Sequence, residues 1–334
     1  MKKYKICRIL LVILAIFLCV AFYELLGICV AYKKQPEVSN TTKKETKNGS
    51  WNECSENTER AVIIEKNPEA LLQRVRLIKN AKKEIILSTF AFQSDESGKL
   101  ILGALHDAAD RGVHIRLLVD GMESWIDMEG NPYFYGLSSH ENVEIKLYNK
   151  ANPLKPWKMM GRMHDKYLIA DGKRYILGGR NTYNYFLGDF PGHKNYDRDV
   201  LVVCDEPEKE NSVNQLSEYF ETIWNQEDSG YFHNNKKLAN RKSVKNAVLE
   251  LQNGYQKYFE ENKERICDTD YTDETFETEK IALVSNPIHT GSKEPVVWYQ
   301  LGELMKNAKN RVKIHTPYII CNDMMYNTWE EIAE

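Results

Sequence analysis

Between residues 161 and 181 the chain reads GRMHDKYLIADGKRYILGGRN. Six positions here suit phosphate chemistry: His164, Lys166, Asp171, Gly178, Gly179 and Asn181, spaced as HxKxxxxDxxxxxxGGxN. An imidazole beside an ammonium fits an oxyanion, because the ring nitrogen can attack phosphorus while the cation neutralises a non-bridging oxygen. The two must leave the backbone on one side. Residues 163–170 alternate in polarity and end at the turn pair Asp171-Gly172, which predicts a strand. The two-residue period of a strand puts His164 and Lys166 on one face. Asp171 has the other parity and caps the turn, so it is expected to orient the local structure rather than touch substrate. A return strand over 174–177 delivers Gly178 and Gly179, which permit close backbone approach, and Asn181, whose amide can donate to the same phosphate.

Such a constellation needs a rigid frame, and the flanking sequence predicts one. Residues 68–82 form an amphipathic helix pattern with Leu71, Leu72, Val75 and Ile78 on one side. Strand patterns over 84–92, 114–119 and 143–148 alternate with a helix over 98–111 that Gly112 stops. A further helix over 216–224 closes the unit. Alternation of this kind predicts a three-layer α/β lobe with a mixed sheet. His106 and His114 belong to that framework and are expected to be structural. The loop over 149–162 carries Lys155, Lys158 and Arg162 with Trp157, Met159 and Met160 between them. It is either a mouth that meets lipid or a solvated loop with its apolar residues tucked under.

The motif resembles the signature of the phospholipase D superfamily, and within it the bacterial cardiolipin synthase branch; the run KLILGALHDAADRGVHIRLLVDG is also similar to the first half of the superfamily's lobe. The resemblance implies two similar lobes whose motifs meet at one site, where one histidine forms a phosphohistidine and the other protonates the leaving alcohol. It implies His164 as nucleophile, Lys166, Gly179 and Asn181 as phosphate-binding residues, and Asp171 as local support. Asp197, 33 positions after His164, stands where the family carries a carboxylate that orients the nucleophile; Asp199, of the same parity, competes for that role. The implied activity is phosphatidyl transfer between phospholipids, or hydrolysis when water accepts, with no metal and no cofactor.

The 334 residues carry a formal net charge of −3, which argues against an electrostatically driven nucleic-acid binder. A nuclease of the same superfamily, pairing two chains as a homodimer, remains an alternative. The seven cysteines show neither a CxxC pair nor a metal-ligand spacing. Residues 1–34 open with Lys2, Lys3, Lys5 and Arg8 and continue as apolar sequence interrupted only by Glu24 before Lys33. They are expected to form a single membrane anchor with the basic end in the cytoplasm and the lobe on the extracytoplasmic side, the alternative being a cleaved signal peptide. A polar tether is expected over 35–60, the lobe over 61–228 and a charged, mostly helical connector over 229–278. Finally, residues 71–89 align without gaps on 298–316 at an offset of 227, with 7 of 19 positions identical. This internal repeat predicts that a second lobe begins near residue 279, with a helix and then a strand over 312–316. Its histidine would fall at 164 + 227 = 391, beyond Glu334. The expectation is therefore a truncated second lobe, making this chain an inactive remnant, a homodimer, or a half-enzyme completed by a chain with the second motif.

Overall fold

The structure, a computed structural model, describes residues 2–49, 59–204, 211–316 and 318–333. Among these, nine strands form one mixed sheet. They are β1 (Glu59–Ile64), β2 (Glu84–Thr89), β3 (His114–Asp120), β4 (Val143–Tyr148), β5 (Tyr167–Ala170), β6 (Arg174–Gly178), β7 (Asp199–Cys204), β8 (Ser229–Tyr231) and β9 (Phe276–Glu277). The spatial order is β8-β4-β3-β2-β5-β6-β7-β1-β9. Strands β2, β3 and β4 run parallel, since helices α4 (Glu96–Asp110), α5 (Gly121–Asp127) and α6 (Pro132–Ser138) return the chain between them. From β2 onward β5, β6, β7 and β1 pair antiparallel, and hairpin β5–β6 turns at Asp171-Gly172, both at positive φ.

The pleat divides the core. On one face Ile85 and Leu87 pack with α3 (Asn67–Asn80), α4 and α8 (Lys242–Glu261). On the other, Ile86, Tyr167 and Ile169 pack against Leu216, Phe220 and Ile223 of α7 (Ser212–Trp224). The expected three-layer α/β lobe with a mixed sheet is what forms.

Four local expectations differ. The motif strand starts at Tyr167, so His164 and Lys166 lie in the extended segment before it. One backbone bond, Gly178 N to Lys166 O at 3.1 Å, continues the ladder to Lys166, and side-chain anchors hold the segment before it: the Asp120 carboxylate accepts from Met163 N at 3.1 Å, and Asn149 Nδ2 donates to Gly161 O at 2.8 Å. The second difference is over 229–278, where the chain builds lobe rather than connector. Strand β8 extends the sheet beside β4 and β9 beside β1, while α8 buries Val244, Ala247, Leu251, Tyr255 and Phe259. A short helix, α9 (Lys263–Cys267), follows α8 and packs on α3. Third, the stretch expected as a tether contains helix α2 (Asn40–Asn48), capped by Ser39 and held by Glu294, which accepts from Ser39 N and Thr42 Oγ1. Residues 50–58 lie outside the described residues. Fourth, of the repeat, the helix forms as α10 (Val296–Lys306), but residues 312–316 pair with no strand among the described residues. Helix α11 (Asp323–Ala333) follows, and α10 and α11 meet through Trp298 and Trp329, edge to face.

The deepest polar contact in the lobe joins β7 to α3 and to the end of the motif. Asp199, fully buried, lies 2.9 Å from Arg74 Nη1 and 3.2 Å from Arg180 Nη1, both guanidinium groups being buried as well. Arg180 also donates to Ile64 O and Glu65 O. Removing the anion would leave two uncompensated buried cations. Asp199→Asn is therefore expected to cost about 3–5 kcal/mol of stability, read as a shift in the denaturant midpoint of the solubilised protein; a shift within error of zero would contradict this account of the triad.

Candidate active site

Phe90, just past β2, is the floor of the site. Its ring centroid lies 4.7 Å from that of His164, edge to face, and 5.3 Å from Lys166 Nζ. Asn181 is beside it: its Oδ1 accepts from Ala91 N at 3.3 Å, which turns Nδ2 away from that contact. Imidazole and ammonium thus meet at one aromatic ring, with the amide held at the next residue, Ala91. His164 is exposed, whereas Lys166 and Asn181 are buried.

Lys166 uses one of its three donors on His164 O, at 2.8 Å. Burial lowers its pKa to about 8, against the opposing charges of Asp165 and Asp197. Surrounding protein also lowers the His164 pKa, with Lys166 adding to the effect and Asp120 opposing it. A neutral imidazole beside a cation is the ionisation state a nucleophile requires.

Each sequence-predicted residue has a definite place. Asp171, at φ +55°, stands at the far end of β5, five residues or roughly 16 Å of extended chain from Lys166. Its carboxylate accepts from the backbone N–H groups of Lys82, Lys83 and Glu84 at 2.7–3.1 Å, tying the hairpin to the turn between α3 and β2. Its carboxylate is thus committed to backbone, in keeping with its parity. Gly178 and Gly179 make room for carboxylates: a Cβ on Gly178 would meet Asp199 Oδ1 at 2.0 Å, and one on Gly179 would meet Asp197 Oδ2 at 2.0 Å. Asp197 accordingly lies against Gly179, and its charge bears on Lys166. Asp199, the competitor, is committed to Arg74 and Arg180.

Sequence reasoning missed three residues. Phe90 had no chemical signal. Asp120 ends β3 at the carboxyl edge of the parallel strands, where sites of α/β sheets collect, and that position could have marked it. Its Oδ1 accepts from Met122 N and Glu123 N; its Oδ2 accepts from Arg162 Nε and Met163 N. The backbone entering His164 is clamped by this group. Asp165, between the motif's His and Lys, points the other way and accepts from Tyr219 Oη at 2.8 Å; burial raises its pKa. It lines a cavity of about 370 Å³ with Tyr148, Lys293 and the segment 283–288. Among the described residues no group of three or more His, Cys, Asp and Glu side chains converges as a metal cluster would.

Residues 74–224 match the family described as cardiolipin synthase, phospholipase D-like domain. The chain carries a phospholipase D-like domain. An uncharacterised protein of Helicobacter pylori (strain J99) is 30% identical over 212 residues, 59% of this chain and 39% of that protein. Cardiolipin synthase C of Escherichia coli (strain K12) is 30% identical over 154 residues, 42% of this chain and 31% of that protein. Among solved structures, NucT from Helicobacter pylori matches at 16% identity with a TM-score of 0.41, covering 52% of this chain and 99% of that one. The chain spans less than half the length of either curated relative. Every motif position falls within the matched phospholipase D-like domain.

The Lys166 ammonium generates a pH prediction. A soluble phosphodiester keeps one negative charge between about pH 6 and 10, so any change in its affinity there reports the protein. Affinity is expected to hold below about pH 8 and to fall by about tenfold per unit above it as Lys166 loses its proton. Lys166→Arg should remove that limb. Calorimetric titration across the range checks it, and the same limb in both proteins would exclude Lys166 as its source.

Proposed function

We propose that this chain is a phosphodiester-transferring enzyme acting on phospholipids in the manner of a cardiolipin synthase, and that it contributes the nucleophile's half of the site. The observation that carries the reading is the placement of His164 and Lys166 over Phe90, with Asn181 beside them. In this reading the His164 ring nitrogen attacks phosphorus and the bond to the leaving alcohol's oxygen breaks. Lys166 and the Asn181 amide hold the non-bridging oxygens. Asp197 acts on Lys166 by charge, and Asp120 holds the backbone entering His164. An incoming alcohol or water then attacks the phosphohistidine and releases His164. A lipid phosphodiester fits better than a nucleic-acid one, since the chain's net charge is −3.

The leaving alkoxide needs a proton, and the incoming alcohol must lose one. In this reading both transfers belong to a second histidine brought to the site from outside the 164–166 motif. Helix α1 (Lys2–Ala31) spans the bilayer in this proposal; the most apolar 18-residue stretch within residues 4–31 has a mean hydropathy of 2.9 and is unburied. Its basic amino end places the lobe on the extracytoplasmic side.

The test is turnover of phosphatidylglycerol in bilayers. Residues 1–334 as a monomer are expected to be inactive, and to gain activity when a polypeptide carrying the second HxK motif is added. His164→Asn should then abolish that activity with little loss of stability. Robust turnover by the monomer, or activity of His164→Asn within about tenfold of wild type, would overturn the assignment. Silence in every combination would favour a non-catalytic lipid-binding remnant.

A further inference from the structure

The carboxyl end of α1 is packed against the loop that feeds the motif. Its half-buried positions there are Ala21, Glu24, Gly27, Ile28 and Ala31, one stripe at helical spacing. Gly27 leaves no room for a side chain, because a Cβ would stand 2.5 Å from Pro156 Cγ. Tyr23 Oη donates to Leu154 O at 3.1 Å, Tyr32 Oη donates to Thr290 O at 2.7 Å, and Ser292 Oγ donates to Ala31 O at 3.2 Å. The stripe also turns Glu24, the one charge between Arg8 and Lys33, toward protein rather than outward.

Residues 4–31 extend roughly 42 Å as a helix, against a hydrocarbon core of about 30 Å. If the helix crosses the bilayer, the excess of about 12 Å, roughly eight residues, lets the end from Glu24 to Ala31 reach the headgroup region and its boundary, and whatever touches it there is at the same depth. The loop that touches it shows Leu154, Trp157 and Met160, which are 77%, 45% and 58% exposed, with Lys155 exposed among them. An indole, two flexible apolar side chains and a lysine are the residues that settle at a lipid interface. Gly121 packs on Lys150 Cα, which sets α5 beside the loop and adds Trp125 and Ile126, 67% and 66% exposed.

We propose that the loop over 150–160 is a membrane-docking element that seats in the headgroup layer of the leaflet α1 enters. Its partner is the phospholipid surface itself. The loop ends at Gly161, three residues before His164, and Asn149 fixes both its ends by donating to Lys158 O and Gly161 O. Docking therefore brings the imidazole to the depth of lipid phosphates, so a substrate need not leave the bilayer to reach it. The inference rests on the spanning reading of α1, and not on catalytic activity.

The experiment uses the full chain, one copy per lipid nanodisc, with ordinary lipids or lipids brominated near the headgroup end of the acyl chains. The Trp157 signal is the emission of wild type minus that of Trp157→Phe, a substitution that keeps an aromatic ring. That difference is expected to fall at least about twofold in brominated discs. An unchanged difference, with the chain retained in membranes through an alkaline carbonate wash, would overturn the docking while leaving the span. Release by the wash would remove the span and this proposal with it, and would leave the phosphotransfer reading to its own assay.

Discussion

The site depends first on a buried anion that takes no part in chemistry. Asp199 begins β7 between Arg74 of α3 and Arg180 of the Gly-Gly-Arg-Asn turn, with all three side chains out of water. A buried carboxylate flanked by two guanidinium groups is tolerable only with close geometry, and that geometry constrains the backbone on each side. On the β6 side it demands glycine at 178, because Asp199 Oδ1 occupies the space of a Cβ. On the β7 side it sets the direction of Asp197, which makes the same demand of Gly179. Asn181 follows within one residue of Arg180. The glycine pair, which suggests a phosphate cradle in the sequence, is filled by protein carboxylates.

A second buried carboxylate does for His164 what Asp199 does for Asn181. Asp120 accepts four hydrogen bonds, two from the turn into α5 and two from Arg162 and Met163. These bonds hold the extended segment ahead of the backbone bond from Gly178 N to Lys166 O, leaving His164 exposed beside a buried Lys166. The motif's own Asp171 is structural too, and closes the far end of the hairpin on the turn before β2. The six-position pattern is therefore two things overlaid. His164 and Lys166 gather at Phe90 with Asn181 bonded next to it; Asp171, Gly178 and Gly179 are conditions for folding the hairpin.

Much of this was legible before any coordinates. The strand over 143–148 and the hairpin turn at Asp171-Gly172 follow from alternation and turn chemistry, and both form where expected. Asp171, whose parity differs from that of His164 and Lys166, binds the backbone of residues 82–84. What the sequence hid has physical reasons. Strands of three and two residues, β8 and β9, are too short to show a period, so 229–278 reads as connector although α8 carries a buried stripe at 244, 247, 251, 255 and 259. The polar helix α2 has no apolar face to announce it; its contacts are hydrogen bonds to Glu294. The repeat at offset 227 transmits a helix but not its strand, because 312–316 has no neighbour to pair with among the described residues. Phe90 and Asp120 were invisible as site residues because their contributions are a surface and a set of backbone contacts, neither of which has a sequence spacing.

The central claim is that His164 becomes covalently bound to phosphorus. The most direct test is the stereochemical course at phosphorus, followed with a substrate made chiral there by isotopic oxygen or sulfur, in the assembly that turns over phosphatidylglycerol. Attack by His164 followed by attack of the acceptor inverts phosphorus twice, so the account predicts net retention. Net inversion would mean a single direct displacement, and would contradict His164 as the nucleophile.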